Sequence, residues 1–206
     1  NAETAREHTA YWARVRDADL DMAIETLTDM VTDSRLDEED FSMERGVILD
    51  ELAMGEDSPT DTVHDAFQLA VHGDRPIGRP VGGTPQAIRE VERADVWEHY
   101  QAHYGPSSLI VAAAGNVDHD SVCERVQVAL EGSPWDACSA ASPRPRRSTT
   151  VNPIADHDKD ITRRRDVTQA HVVIGCEGLS ATDPAGPTMS VLLSVLGGSM
   201  SSRLFQ

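Results

Sequence analysis

The sequence predicts an α+β fold, and three observations carry that prediction. Residues 9–16 alternate, with Tyr11, Ala13 and Val15 on one side, which is the period of a strand. Residues 108–114 and 169–176 are short apolar runs of the length of buried strands. The stretches around them have helical apolar period, and no regular βαβ alternation links them into a doubly wound sheet.

The elements follow in order. Residues 20–31 place Leu20, Ala23, Ile24, Leu27, Met30 and Val31 at helical spacing, after Asp17, Asp19 and Asp21. That Asp-x-Asp-x-Asp series invites a calcium loop, but the following glycine and closing glutamate are missing, so the acids serve the positive end of a helix. Acids at 37–40 open a second helix running to about Met54, and Ser58-Pro59 opens a third that ends at His72. Residues 73–85 (GDRPIGRPVGGTP) form an ordered loop; neither a P-loop Lys-Ser/Thr nor GxGxxG is present to cradle phosphate. Thr84-Pro85 then opens a helical stretch over 86–104 with a break near Ala94-Asp95. Residues 118–130 form a further helix. The proline- and arginine-rich stretch around Pro143, Arg144, Pro145, Arg146 and Arg147 reads as a linker. Beyond it, the strand at 169–176 is followed by an apolar helix over 185–196 that ends at Gly197-Gly198.

Composition narrows the function. The chain has 206 residues, 39% hydrophobic and 26% charged, as in a globular protein. A formal net charge of −17 argues against nucleic acid or an anionic membrane as partner and suits a basic peptide. No apolar stretch is long enough to span a membrane. Cys123, Cys138 and Cys176 form no CxxC, so neither a disulfide framework nor a cysteine zinc site is indicated, and a reducing, cytoplasmic location is expected. Both ends read as cut, since Asn1 is no natural start and the chain stops shortly after a helix.

Several groups are candidates for chemistry. His99 and His103 are spaced as two metal ligands on one helix face, but no glutamate lies between them and tyrosines surround them as in a packed helix end. There is no GxSxG elbow for a serine nucleophile, and no cysteine lies in a catalytic motif. Arg163, Arg164 and Arg165 read as solvated surface. Glu44 and Glu51 stand out. Seven residues apart on one helix, they are expected to share a face with buried Val47 and Ile48. Buried carboxylates need a positive partner, which a metal ion, an arginine or a substrate could supply.

Five ordered segments resemble the M16 metallopeptidases, the family of insulysin, pitrilysin and the mitochondrial processing peptidase, and most of all its bacterial processing-peptidase-like members. Asn1-Ala2-Glu3-Thr4 with Glu7-His8-Thr9 and Tyr11 is similar to the NAxTxxEHTxY strand, and residues 44–51 to the ERxVIxxE helix. Residues 78–85 resemble the GRPxxGTP loop, 112–120 the strand and turn near the end of the first domain, and 197–205 the GGxMSSRLF segment of the next. The resemblance implies an antiparallel sheet flanked by helices, repeated in two homologous domains: 1–135 from the first, a linker at 136–150, and 151–206 opening the second. It implies a zinc endopeptidase with Glu51 as metal ligand and Glu44 supporting a ligating histidine. Asn1 and Ala2 would lie on an edge strand that binds peptide by β-augmentation. The family's two histidines and general base come from HxxEH, which none of the eight histidines here opens. That motif is expected upstream of Asn1, which would leave residues 1–206 inactive alone. The second-domain arginine and tyrosine that grip substrate are expected after Gln206. The resemblance admits as its alternative a non-catalytic scaffold, against which the presence of both Glu44 and Glu51 argues, and it implies a homodimer or an M16-like partner subunit.

Overall fold

The structure, a computed structural model, describes residues 1–135, 160–176, 178–180 and 182–206. The linker expected at 136–150 lies outside the described residues. Those described gather into two compact units, Asn1–His171 and Val172–Gln206.

The first unit opens with a hairpin. β1 (Ala2–Thr4) pairs antiparallel with β2 (Thr9–Tyr11), Ala2 opposite Tyr11 and Thr4 opposite Thr9. The Trp12 N–H donates to the Asn1 carbonyl at 2.9 Å, which extends the ladder by one residue. Among the described residues these two strands are the whole sheet. The strand expected to reach Arg16 therefore stops at Tyr11, where its partner runs out, and residues 12–16 are exposed.

α1 (Leu20–Thr32) half-buries the predicted strip of Leu20, Ala23, Ile24, Leu27 and Val31 and packs against α6 (His119–Glu131). Met30, at the edge of that strip, faces solvent. The three acids before and inside α1 each find a separate partner. Asp17 accepts from Asn116 Nδ2 at 2.9 Å, Asp19 pairs with Arg16 at 2.7 Å, and Asp21 pairs with Arg125.

α2 (Glu38–Asp57) and α3 (Pro59–His72) meet at Ser58, whose hydroxyl accepts the Asp61 N–H at 3.3 Å. Pro59 fits the first helical position because it has no N–H to satisfy there. Thr62, Ala66 and Ala70 lie one turn apart on α3 and are its buried residues. Their small size lets backbone approach closely, and the 3₁₀ turn Pro76–Gly78 packs onto this helix.

The helical stretch expected over 86–104 is two helices, α4 (Pro85–Glu90) and α5 (Arg93–His103). The break falls at Val91-Glu92 rather than at Ala94-Asp95. Asp95 causes it by accepting the Glu92 N–H at 2.9 Å, which starts a new helix, while Arg45 takes the Val91 carbonyl at 2.5 Å.

Aromatic side chains hold α5 in place. The Tyr100 hydroxyl donates to the Val31 carbonyl at 2.9 Å and accepts the Ser34 N–H at 3.3 Å; the Tyr11 and Tyr104 hydroxyls are 3.2 Å apart. Arg93 donates to the carbonyls of Leu36 and Arg35 and lies 5.6 Å over the Trp97 ring. Leu36 has φ 45°, a conformation costing a side-chained residue about 1–2 kcal/mol, and the Arg93 bond secures it.

Burial, then the Tyr104 hydrogen bond, holds the Tyr11 phenol well above its ordinary value near 10.0. Such a group contributes its full stability below that ordinary value and loses it as pH rises further, because the folded state keeps the proton longer. Tyr11→Phe should therefore flatten the fall in stability above about pH 10 and cost only about 1 kcal/mol at neutral pH. Denaturant midpoints measured on either side of that pH check this.

Residues 108–114 and 169–176 depart most from expectation. Neither forms a ladder among the described residues, and both are largely exposed, with Ile110 89% and Ile174 91% accessible. A strand needs partners for its backbone groups and cover for its side chains, and an apolar run specifies neither.

The second unit centres on α7 (Gly186–Gly197), which ends at Gly197-Gly198 as expected. The chain then folds back on the helix end. The Arg203 and Leu204 N–H groups donate to the Val195 and Leu196 carbonyls at 3.2 and 2.8 Å, and Ser202 is buried. Val191, Leu192, Leu193 and Val195 of α7 remain exposed.

Candidate metal centre

The acidic pair sits on α2, whose half-buried strip is Phe41, Arg45, Ile48, Leu49 and Leu52, packed towards α3 and α4. At about 100° per residue, Glu51 returns to within about 20° of Glu44. Both lie on the flank of that strip and face solvent. This corrects the expectation of a shared buried face: Ile48 is half-buried, but Val47 is 45% exposed. The reason is that the strip is centred about a quarter-turn away, where a cation fills it. Arg45 lies 4.9 Å over the Phe41 ring and donates to the Val91 carbonyl. The motif's own arginine is thus committed to the α4–α5 junction and is not the counter-charge of either glutamate. Neither glutamate has an ion pair among the described residues. Facing water, the two carboxylates need no positive partner to offset burial.

Among the described residues no three His, Cys, Asp or Glu side chains gather to hold a metal ion. The His99 and His103 rings lie against each other at a tilt, with centroids 4.4 Å apart, both exposed on α5. What α2 offers is two exposed carboxylates, two turns apart on one flank. That fits part of a His₂Glu zinc site and not a whole one.

Asn1 and Ala2 begin the hairpin. β1 is exposed throughout, and its edge away from β2 has no partner strand among the described residues. Sequence reasoning missed what fixes this hairpin. Arg6 donates to the Ile77 and Arg79 carbonyls at 2.6 and 2.8 Å, tying it to the GRP loop across 71 and 73 residues. Gly82 in the same loop lies against α2, where an added Cβ would meet Leu52 at 3.0 Å. Arg165, expected as solvated surface, pairs with Glu56 near the end of α2 at 3.6 Å. Contacts over such separations leave no periodic trace in a sequence.

Comparison with known families agrees with the motifs. The family profile described as "Peptidase M16 inactive domain" matches residues 90–206, more than half of the chain, and the one described as "Insulinase (Peptidase family M16)" matches residues 1–85. The chain belongs to peptidase family M16. This M16 chain is 46% identical over its full length to an uncharacterized zinc protease of Streptomyces coelicolor, of which it spans 45%. It is 32% identical to an uncharacterized zinc protease of Bacillus subtilis, again over its full length and spanning 48% of that protein. Over 96% of its length it is 31% identical to cytochrome b-c1 complex subunit 1 of Homo sapiens, of which it spans 40%. The chain therefore spans about half the length of the curated relatives it matches, or less.

Proposed function

We propose that this M16 chain is part of a zinc-dependent endopeptidase that hydrolyses peptides held as an added β-strand. The observation that carries the reading is the solvent-facing pair of Glu44 and Glu51 on one flank of an unbroken α2, with the neighbouring arginine drawn to another partner. Glu51 is a metal ligand, and Glu44 orients a ligating histidine through its second ring nitrogen. The two histidines and the general base come from an HxxEH segment outside residues 1–206. Zinc held there would supply Lewis-acid chemistry, acidifying water and polarising the scissile carbonyl. Ala2 presents the open edge of β1 to the substrate backbone, whose N–H and C=O groups continue the ladder, and Asn1, whose own backbone is paired with Trp12, contacts the substrate backbone through its side chain. The names of the Streptomyces and Bacillus relatives support the chemistry.

In this reading residues 1–135 belong to a first M16 domain and 151–206 to a second, homologous one joined through 136–150. The substrate is peptide or unfolded polypeptide, and the protein acts as a homodimer or beside an M16-like partner subunit. No helix among the described residues is long and apolar enough to cross a membrane. From the cysteine pattern, which contains no CxxC, and the bacterial relatives we place the protein in the cytoplasm. A second reading, a non-catalytic subunit, draws on the human relative named as a subunit of a larger complex.

Zinc titration tests the proposal. The complete polypeptide should bind one zinc tightly and hydrolyse peptides, whereas residues 1–206 alone should do neither. Submicromolar binding at one equivalent by residues 1–206 would refute the division of ligands. A complete polypeptide without tight zinc would favour the non-catalytic reading.

A further inference from the structure

The open edge of β1 has a defined register. Asn1 and Trp12 exchange both backbone hydrogen bonds at 2.9 Å, and the Ala5 N–H donates to the His8 carbonyl at 2.8 Å. Bonded and unbonded pairs alternate along an antiparallel ladder, so the bonded positions fall at Asn1, Glu3 and Ala5. The N–H and C=O groups of Ala2 and Thr4 therefore point away from β2. A peptide added at this edge pairs with those two residues.

Two anchors orient the ribbon. A two-stranded hairpin is marginally stable by itself, so what it is tied to decides where it points. β2 is held at Tyr11, whose hydroxyl lies 3.2 Å from that of Tyr104 on α5. The turn is held at Arg6, whose Nη1 alone donates to the Ile77 and Arg79 carbonyls at 2.6 and 2.8 Å. The receiving loop is closed on itself: the Arg79 guanidinium pairs with Asp74 at 2.8 Å, and the Gly78 N–H donates to the Arg75 carbonyl at 2.9 Å. Further along, Gly82 rests against Leu52, the residue next to Glu51 on α2. One continuous set of contacts thus runs from the open edge to the helix of the acidic pair.

We propose that Arg6 is a positioning residue that sets which peptide bond of the added strand is cut. The inference rests on the peptidase reading. An extended chain advances ~3.3 Å per residue, so a ribbon displaced by that length would bring the neighbouring bond to the metal. A hairpin held at Tyr11 alone can swing about that point, and the second anchor at its turn removes this freedom. Misplacement of the reacting groups by about 1 Å can cost roughly a hundredfold in rate.

The test is digestion of casein, an unfolded polypeptide, by the complete polypeptide, with product ends read by mass spectrometry and zinc content measured in parallel. Arg6→Met keeps the apolar stem and removes the donors. Both bonds are exposed, so water replaces the donor at the two carbonyls and the fold stays intact by circular dichroism. Zinc content should be unchanged, kcat/KM should fall about tenfold to a hundredfold, and cuts should spread to bonds beside those the wild type cleaves. Arg6→Lys should restore the wild-type product ends, because one ammonium nitrogen can donate to both carbonyls as Nη1 does. A purely structural role would lower the rate without moving the cuts. Identical product ends in wild type and Arg6→Met would therefore overturn the proposal, whatever the rate. A wild-type polypeptide that holds zinc and leaves casein intact would instead refute the peptidase reading beneath it.

Discussion

Glu51→Gln in the complete polypeptide should strip zinc and abolish peptide hydrolysis, whereas Glu44→Gln should leave a weakened but detectable site. The two side chains share one flank of α2, both exposed, so the substitutions remove no buried packing and should leave stability nearly unchanged. Their effects differ because of their proposed roles. An amide oxygen is a poor replacement for an anionic ligand, so the loss at Glu51 should exceed the roughly 10–100-fold typical of residues that only orient a ligand. Glu44→Gln should fall within that range, because an amide still accepts a hydrogen bond from an imidazole N–H. Zinc content by atomic absorption and peptide cleavage in parallel separate the two. Full activity in Glu51→Gln would show that another carboxylate holds the metal.

Gly78→Ala should produce the largest loss of stability from a single methyl group, about 2–3 kcal/mol. A Cβ there would lie 2.3 Å from the Gly73 carbonyl oxygen and 3.0 Å from His72 Cβ. Both neighbours belong to the end of α3, where Gly73 already takes φ 62°, so neither can withdraw cheaply. The 3₁₀ turn would have to move, carrying with it the Ile77 and Arg79 carbonyls that hold Arg6 and the hairpin. Gly46, inside the acidic motif, provides the internal contrast. Nothing lies within 4 Å of its added Cβ, and Gly46→Ala should stabilise α2 by about 0.5–1 kcal/mol. Urea midpoints of the two variants should move in opposite directions.

Helices were legible where local chemistry marks their ends. Ser58-Pro59, Thr84-Pro85 and Asp118 each start a helix in the structure, and in each the side-chain oxygen of the first-named residue accepts a backbone N–H three residues on. The α4–α5 break was misplaced by a few residues because apolar period runs straight through it. The capture of Glu92 N–H by Asp95 and of the Val91 carbonyl by Arg45 decides the position, and the second of these is a contact across 46 residues. Strands fared worse: residues 108–114 and 169–176 have the composition of strands and no ladder among the described residues. Pairing is a property of two segments and cannot be read from one.

The candidate site divides along the same line. Spacing alone placed Glu44 and Glu51 on one side of a helix, because helical geometry is local and repeats every 3.6 residues. Order and identity of the motifs alone sufficed to indicate family M16, which the family profiles then established. Which flank of α2 is buried was beyond that reasoning. Only the packing of Phe41, Arg45 and Leu52 towards α3, α4 and their loop turns the glutamates to solvent and removes Arg45 as their partner. Local propensity writes elements into a chain, whereas the choice of face, of partner and of strand pairing is made by contacts between residues far apart in it.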